Sequence, residues 1–476
     1  MTRRSMLRIC LALAVSLVTL GVGAAQGATP DWSAYLLGPR HSSYNIAATT
    51  WTPTSAASFG TDWTFTDPAP TETGQPQRGF SASPTVSGGS VYIGSTTGVF
   101  YAIDEATGVE RWHRSLGYVT ARTCNARGIT STATVAPDPS RGGQATVYVG
   151  GGDGYLYALK ASDGSIVWRS LVVSIGTTES TGYIWSSPTL IGGRIFMGIS
   201  SQCDKPLIRG GLRSFDQASG ARLHTYRTVA KGEIGGSIWQ SAASDGADVW
   251  VTTGNGDTGD SFSIVRLDPA TLAKEDIWTV PQTAGTDLDW GSSPTLFKAS
   301  LGGITTPMVG ACNKNGHYYA FRSADLASGF VWTRKLGSTG GLGAGVGSCL
   351  ASAIWDDTHK RLIFASNTTT VNGTTVPGAV RSLNPATGRS YWTTPIDGGP
   401  IIGSPTLSGG GLIAAGTYNN TTPGNNRVYL LDASTGEVVN SIVTGSPVFA
   451  QPVFADDELF VATTAGTLTA YTPTGA

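Results

Sequence analysis

Residues 80–117 read FSASPTVSGGSVYIGSTTGVFYAIDEATGVERWHRSLG. A small-residue start (SASPT) leads into an apolar strand, VYIG. A glycine turn follows, then the strand VFYAID, the turn ATG, and a last strand carrying Trp112. Apolar residues alternate with small or polar ones, the period of a β-strand. The glycine turns supply the positive φ that tight hairpins need. The cassette recurs at 146–171 (TVYVGGGDGYLYALKASDGSIVWRSL) and at 427–439 (RVYLLDASTGEVV). Its turn glycines fall at Gly108, Gly164, Gly220, Gly329, Gly388, Gly436 and Gly475, with PATLAK at 269–274 filling the gap after Gly220. Eight units at roughly 40–60-residue spacing is the range of propeller blades.

The expected fold is therefore all-β: an eight-bladed β-propeller of four-stranded antiparallel blades. The eighth unit, PVFADDELFVATTAGTLTAYTPTG, stops before a fourth strand, while SFGTDWTFTD (58–67) is a strand without a blade. Pairing the two closes the ring and removes the open edges of the array. The expected division is an export signal over 1–27, a lead-in over 28–57 that wraps outside the ring, and one propeller over 58–476. The recurring Trp112, Trp168, Trp332 and Trp392 read as packing between blades. Asp104, Asp216, Asp268, Asp432 and Asn384 read as turn residues that bond backbone amides.

The 476 residues carry 31 basic and 32 acidic side chains, a net charge of −1 that gives no electrostatic reason to expect nucleic acid or an anionic membrane as partner. The N-terminus MTRRSMLRICLALAVSLVTLGVGAAQG has a basic start, an apolar run and a small-residue exit suited to cleavage after Gly27. TRRSMLR resembles a twin-arginine export motif with Met6 in place of Phe; an ordinary basic leader is the other reading. A secreted or periplasmic protein without a membrane span is expected. Cys10 leaves with the leader, so Cys124, Cys203, Cys312 and Cys349 remain. An even number in an oxidising compartment implies two disulfides. Of the three pairings, Cys124–Cys203 with Cys312–Cys349 is favoured because each bridge then joins neighbouring repeats. No CxxCH is present, so no covalent haem is built in.

The repeats resemble those of pyrroloquinoline-quinone (PQQ) propellers over essentially the whole exported chain. That family holds alcohol and polyvinyl-alcohol dehydrogenases and also non-catalytic assembly proteins. Residues that break the repeat carry the dehydrogenase resemblance. GGSIWQSAASD (235–245) is similar to the segment whose aromatic stacks on the quinone, which implies Trp239. TTGNGD (252–257) resembles the calcium-ligating loop and implies Asn255. DLDWGSSPTLF (287–297) resembles the segment with the catalytic aspartate, implying Asp287 as general base and as a calcium ligand, with Asp289 second as the base. GACNKNGHYYAF (311–322) implies Lys314 against the quinone oxygens, and TCNARGIT (123–130) implies Arg127 against a cofactor carboxylate.

Two features depart from the family. Cys124 stands alone where the enzymes carry adjacent cysteines. GISSQCDKPLIRGG (198–211) lacks their calcium-binding Glu and offers Asp204 one residue out of register. Two functions follow as expectations. One is a PQQ- and calcium-dependent dehydrogenase acting on a small or polymeric alcohol, with an external electron acceptor. The other is a scaffold that binds a protein, peptide or polymer on one face.

Overall fold

The computed structural model describes residues 31–68, 70, 75–120, 124–175, 182–281, 287–339 and 349–474. The leader and Gly475 lie outside them. Eight antiparallel sheets follow one another around an axis. Blade 1 spans 85–115, blade 2 134–171, blade 3 189–227, blade 4 243–279, blade 5 295–335, blade 6 354–396, blade 7 406–443 and blade 8 453–473. Blade 8 takes its fourth strand from Phe59–Thr66, which pairs antiparallel with Thr467–Pro473. The ring closes as the orphan strand implied.

The burial pattern follows from this stacking. The second strand of blade 1, Ser90–Gly94, is buried at every residue because neighbouring blades cover both its faces. The outer strand Glu110–Ser115 is exposed except around Trp112. That indole packs on the next blade: Trp112 Nε1 donates to Ala161 O at 2.9 Å, and a Cβ added at Gly164 would lie 2.5 Å from its ring. Trp63, Trp168, Trp332 and Trp392 repeat the contact against Gly108, Gly220, Gly388 and Gly436. The fourth strand of blade 3, RLHTYR, has no Trp, and there the following turn carries Leu272 at φ +58° with its side chain in the core. The turn Asp residues act as expected; Asp104 Oδ1, for example, accepts from Thr107 N at 3.0 Å.

Around the axis, one residue per blade forms a hydrogen-bonded belt. The backbone amides of Ser83, Thr132, Ser187 and Ser241 each donate to the hydroxyl of the next blade's member, at 2.9, 3.0, 2.8 and 3.1 Å, the last acceptor being Ser293. Ser352 Oγ donates back to Ser293 O at 3.2 Å, and Ser352 N donates to Ser404 Oγ at 3.0 Å. Gln451 N returns to Ser83 Oγ at 2.9 Å. The SSPT-like starts of the repeat supply these hydroxyls.

The lead-in corrects the expectation that it wraps outside. From Asp31 it crosses one end of the hub, giving carbonyl oxygens to Val135, Ser244, Leu296, Trp355 and Leu407 of the inner strands. Tyr44–Asn45 adds a short parallel strand to blade 7. Trp32 is fully buried, and Tyr35 reaches the axis among Ser293, Ser352 and Ser404. The segment follows the inside because the axial ends of the inner strands offer free backbone amides there. His41 is buried with Nδ1 2.7 Å from Pro294 O, and burial pulls its pKa down to about 4.

Two outcomes follow. Gly164→Ala and Gly388→Ala each force a Cβ against an indole at positive φ and lower stability by about 2–4 kcal/mol, read as a fall in thermal midpoint. Because His41 binds its proton more weakly folded than unfolded, stability declines as pH falls from 6.5 and levels off below about 4. The full loss is about 3 kcal/mol. His41→Gln flattens that acid limb in a series of melts across pH.

Candidate active site at the propeller hub

Antiparallel alternation sorts the connections. Turns between first and second and between third and fourth strands lie on the lead-in face. Loops between second and third strands, and the crossings between blades, lie on the other. All the sequence-derived candidates stand on that second set of loops, which gathers residues distant in the chain.

Asp204 (blade 3), Asn255 (blade 4), and Asp287, Asp289 and Lys314 (blade 5) form a closed circuit. Asn255 Nδ2 donates to Asp204 Oδ2 at 3.1 Å and to Asp287 Oδ1 at 3.2 Å. Lys314 Nζ bridges Asp287 Oδ1 at 3.0 Å and Asp289 Oδ2 at 2.8 Å. The backbone N–H of Asn255 donates to Asp289 Oδ1 and closes the ring. Glycine is required beside it, since a Cβ at Gly254 would meet that oxygen at 2.7 Å. Asn255 itself is not in the left-handed region, whereas Asp204 is, at φ +59°.

Burial separates the two aspartates of blade 5. The side chain of Asp289 is 5% exposed and that of Asp287 34%. Burial raises the Asp289 pKa to about 6, with Lys314 opposing the rise. Burial also works against the Lys314 ammonium, but Asp289 and Asp287 outweigh it and hold its pKa above the usual lysine value. Asp289 is thus a buried anchor, and Asp287 offers a carboxylate that a second molecule can reach.

Lys314 Nζ also lies 5.4 Å from the centre of the Trp239 ring, within cation–π range. Trp239 lines an axial cavity that ends at Tyr35. Arg127 stands apart from the carboxylates. Its guanidinium lies 4.9 Å over the ring of Trp185, and Trp185 lines the same cavity. Trp185 escaped the sequence reading, although YIWSSPT (183–189) sets it at the repeat position that SIWQSAA (237–243) gives Trp239.

Both favoured disulfides are present, with Cα atoms 6.2 Å apart in Cys124–Cys203 and 5.8 Å in Cys312–Cys349. The first ties the Arg127 loop to Asp204. The second lies beside Lys314. Among the described residues, no three His, Cys, Asp or Glu side chains are placed to share a metal ion. A cation here needs the Asn255 amide as a further donor, and Asn255 Oδ1 is buried without a hydrogen-bond partner. Turning the Asn255 amide over, so that Oδ1 replaces Nδ2 between Asp204 and Asp287, would make a hard-oxygen set suited to a divalent cation. Two indoles, each beside a cation, suit a flat anionic ring system. Among the described residues, no helix is long and apolar enough to cross a membrane.

A family model described as the β-propeller domain of glucose, ethanol and alcohol dehydrogenases matches residues 32–259, and one described as outer membrane protein assembly factor BamB matches residues 376–476. Together the two models support a PQQ-like β-propeller family for the chain. It is 25% identical to a quinohemoprotein alcohol dehydrogenase of Comamonas testosteroni over 51% of this chain and 39% of the relative. It is 26% identical to a polyvinylalcohol dehydrogenase of Sphingopyxis over 54% of this chain and 45% of the relative. The chain thus spans less than half the length of these dehydrogenases. With BamB of Shewanella oneidensis the identity is 23%, over 82% of this chain and 84% of the relative. In fold, a europium-containing methanol dehydrogenase superposes with a TM-score of 0.74 at 15% identity, over 93% of this chain and 98% of that one.

Removing the Lys314 ammonium leaves Asp287 and Asp289 facing one another. Lys314→Met should cost about 3–5 kcal/mol at neutral pH. Adding Asp289→Asn should restore most of that loss, as a double-mutant cycle of thermal melts will show.

Proposed function

We propose that this protein is an exported quinoprotein dehydrogenase that oxidises an alcohol with PQQ and calcium bound at the hub. The carrying observation is the circuit of three carboxylates, an amide and an ammonium beside a tryptophan-lined axial cavity. A ring held only for binding partners on its outer surface has no need to bury Asp289 there. The two disulfides are in keeping with an oxidising compartment.

In this reading, Asp204, Asn255 and Asp287 would hold the calcium ion, Trp239 and Trp185 would offer flat faces to the quinone, and Arg127 and Lys314 would supply positive charge to it. When bound, PQQ supplies the acceptor for hydride from the alcohol carbon. The chain's own groups do the rest. Asp287, the reachable carboxylate, takes the hydroxyl proton at its oxygen. Lys314 fixes the orientation of that carboxylate through the bonds it already makes. Asp289 holds Lys314 and the Asn255 backbone in place. The electron acceptor is a separate molecule.

The near-complete coverage shared with BamB supports the second reading, a scaffold that binds a protein or polymer. One experiment divides them. The purified protein is titrated with PQQ in the presence of calcium, and dye-linked oxidation of primary, secondary and polymeric alcohols is followed. The dehydrogenase reading expects calcium-dependent binding that Trp239→Ala abolishes. It expects Asp287→Asn to bind PQQ but lose about 10²–10⁴-fold in kcat. No binding and no oxidation would leave the scaffold.

A further inference from the structure

Six carboxylates gather where the last blade closes on the first, on the face that the lead-in covers. Glu105 stands in the turn between the third and fourth strands of blade 1. Asp456 and Asp457 form the turn between the first two strands of blade 8, and Glu458 begins the second of them. Asp62 lies on the closing strand Phe59–Thr66, and Asp31 opens the lead-in. Glu105 and Asp456 lie within hydrogen-bond reach across the seam, as do Glu458 and Asp62 within blade 8. The other charges that act on Glu105 are Glu458 and Asp31, and those that act on Glu458 are Asp456 and Asp457. All are acidic. Arg111, on the outer strand of blade 1, is engaged by Asp104 at 2.7 Å and by Ser90 Oγ at 2.7 Å. Glu105 is 8% exposed, and its Oε1 and the Oδ1 of Asp456 are buried without a hydrogen-bond partner.

Equivalent places elsewhere in the ring carry a donor or a cation. In blade 3 the residue after the turn aspartate is Gln217, whose amide donates to Pro137 O at 2.8 Å and to Tyr148 Oη at 3.2 Å, both in blade 2. In blade 4 the strand register sets Asp248 and the bulge residue Glu275 where blade 8 has Glu458 and Asp62. There Arg266 Nη1 spans the pair, 3.3 Å from Asp248 Oδ1 and 3.3 Å from Glu275 Oε2. The same register puts the fully buried Ala470 of blade 8 in the place of Arg266. Two buried carboxylates in contact cannot both stay ionised without a counter-charge. Among the described residues, no three of these side chains are placed to share a metal ion. We propose that protons take the place of the cation: Glu105 donates to Asp456 and Glu458 to Asp62, and the seam that closes the ring is a latch that alkali releases. Burial, with Asp456, pushes the Glu105 pKa up to about 9, and burial, with Asp62, pushes that of Glu458 up to about 8. The folded chain therefore holds these protons more tightly than the unfolded one. The latch contributes fully below the ordinary carboxyl value of about 4.5 and is lost as pH rises through about 8 to 9. It does not depend on what the hub binds.

Hydrogen exchange reads the latch where it sits. In the whole protein, amides of the closing strand Phe59–Thr66 are followed from about pH 6 to about pH 9 beside those of the corresponding outer strand of blade 4, Lys274–Thr279. The second strand removes the intrinsic effect of pH on exchange. The closing strand should gain on it by up to about ten-fold per pH unit for each proton shed. Glu105→Gln, which copies Gln217, and Glu458→Gln should each remove part of that gain and lessen the fall in thermal midpoint over the same range. Should either variant fail to fold, Asp456→Asn decides, because Asn tolerates the left-handed backbone at φ +48°. A constant ratio between the two strands, or variants that keep the unmodified protein's gain, would overturn the proposal. So would EDTA speeding exchange of the closing strand relative to its comparison at the acid end of the range, because a bound cation and not a proton would then join the pairs.

Discussion

The belt of hydroxyl-to-amide bonds around the axis is the constraint on which the other features depend. Each blade buries its inner strands only by packing on neighbours, so a broken ring would expose two apolar faces and two strand edges. The belt sets the register of that packing at the smallest radius, where small displacements translate into large ones at the rim. Gln451 takes the eighth place and returns the amide bond to Ser83, joining the last blade to the first. The tryptophan-on-glycine contacts do the same work at the outer radius. With both radii fixed, the hub loops are held on a rigid frame, which a constellation assembled from several blades requires.

That frame explains why the charged residues meet. Sequence separations of 27 to 51 residues divide Asp204, Asn255, Asp287 and Lys314, yet each stands at or beside the axial end of a blade. The alternation of antiparallel strands gives one face tight turns and the other face loops free to vary. The lead-in covers the tight-turn face and brings Tyr35 to the axis, so the cavity communicates with the loop face. The Cys124–Cys203 bridge, reinforced by Gln202 Nε2 donating to Asn125 O at 2.7 Å, joins the two loops that carry Arg127 and Asp204.

The blades were legible because their signals are local. Strand alternation, turn glycines and the recurring Trp each act within a few residues, and the unpaired strand at 58–67 disclosed the closure. The pairing of cysteines was legible for a related reason: ring order limits which loops are neighbours. The lead-in was not legible, since its partners are backbone amides of five blades and no pattern within 31–45 encodes them. Trp239, Asn255, Asp287 and Lys314 were found through family resemblance. Asp289 was ranked below Asp287 because sequence does not report depth, and burial is what makes one an anchor and leaves the other reachable. Trp185 required aligning equivalent positions of successive blades, which ring geometry makes meaningful.

The central claim is that the circuit of Asp204, Asn255, Asp287 and Lys314 is built to receive a cation and a flat anionic cofactor. A crystal structure of the protein with PQQ and calcium tests it most directly. The account predicts the planar ring system beside Trp239, with the ion bonded to Asp204, Asp287 and the Asn255 side-chain oxygen. A hub without either, in which Asn255 still donates to both carboxylates and Lys314 still spans Asp287 and Asp289, would contradict it.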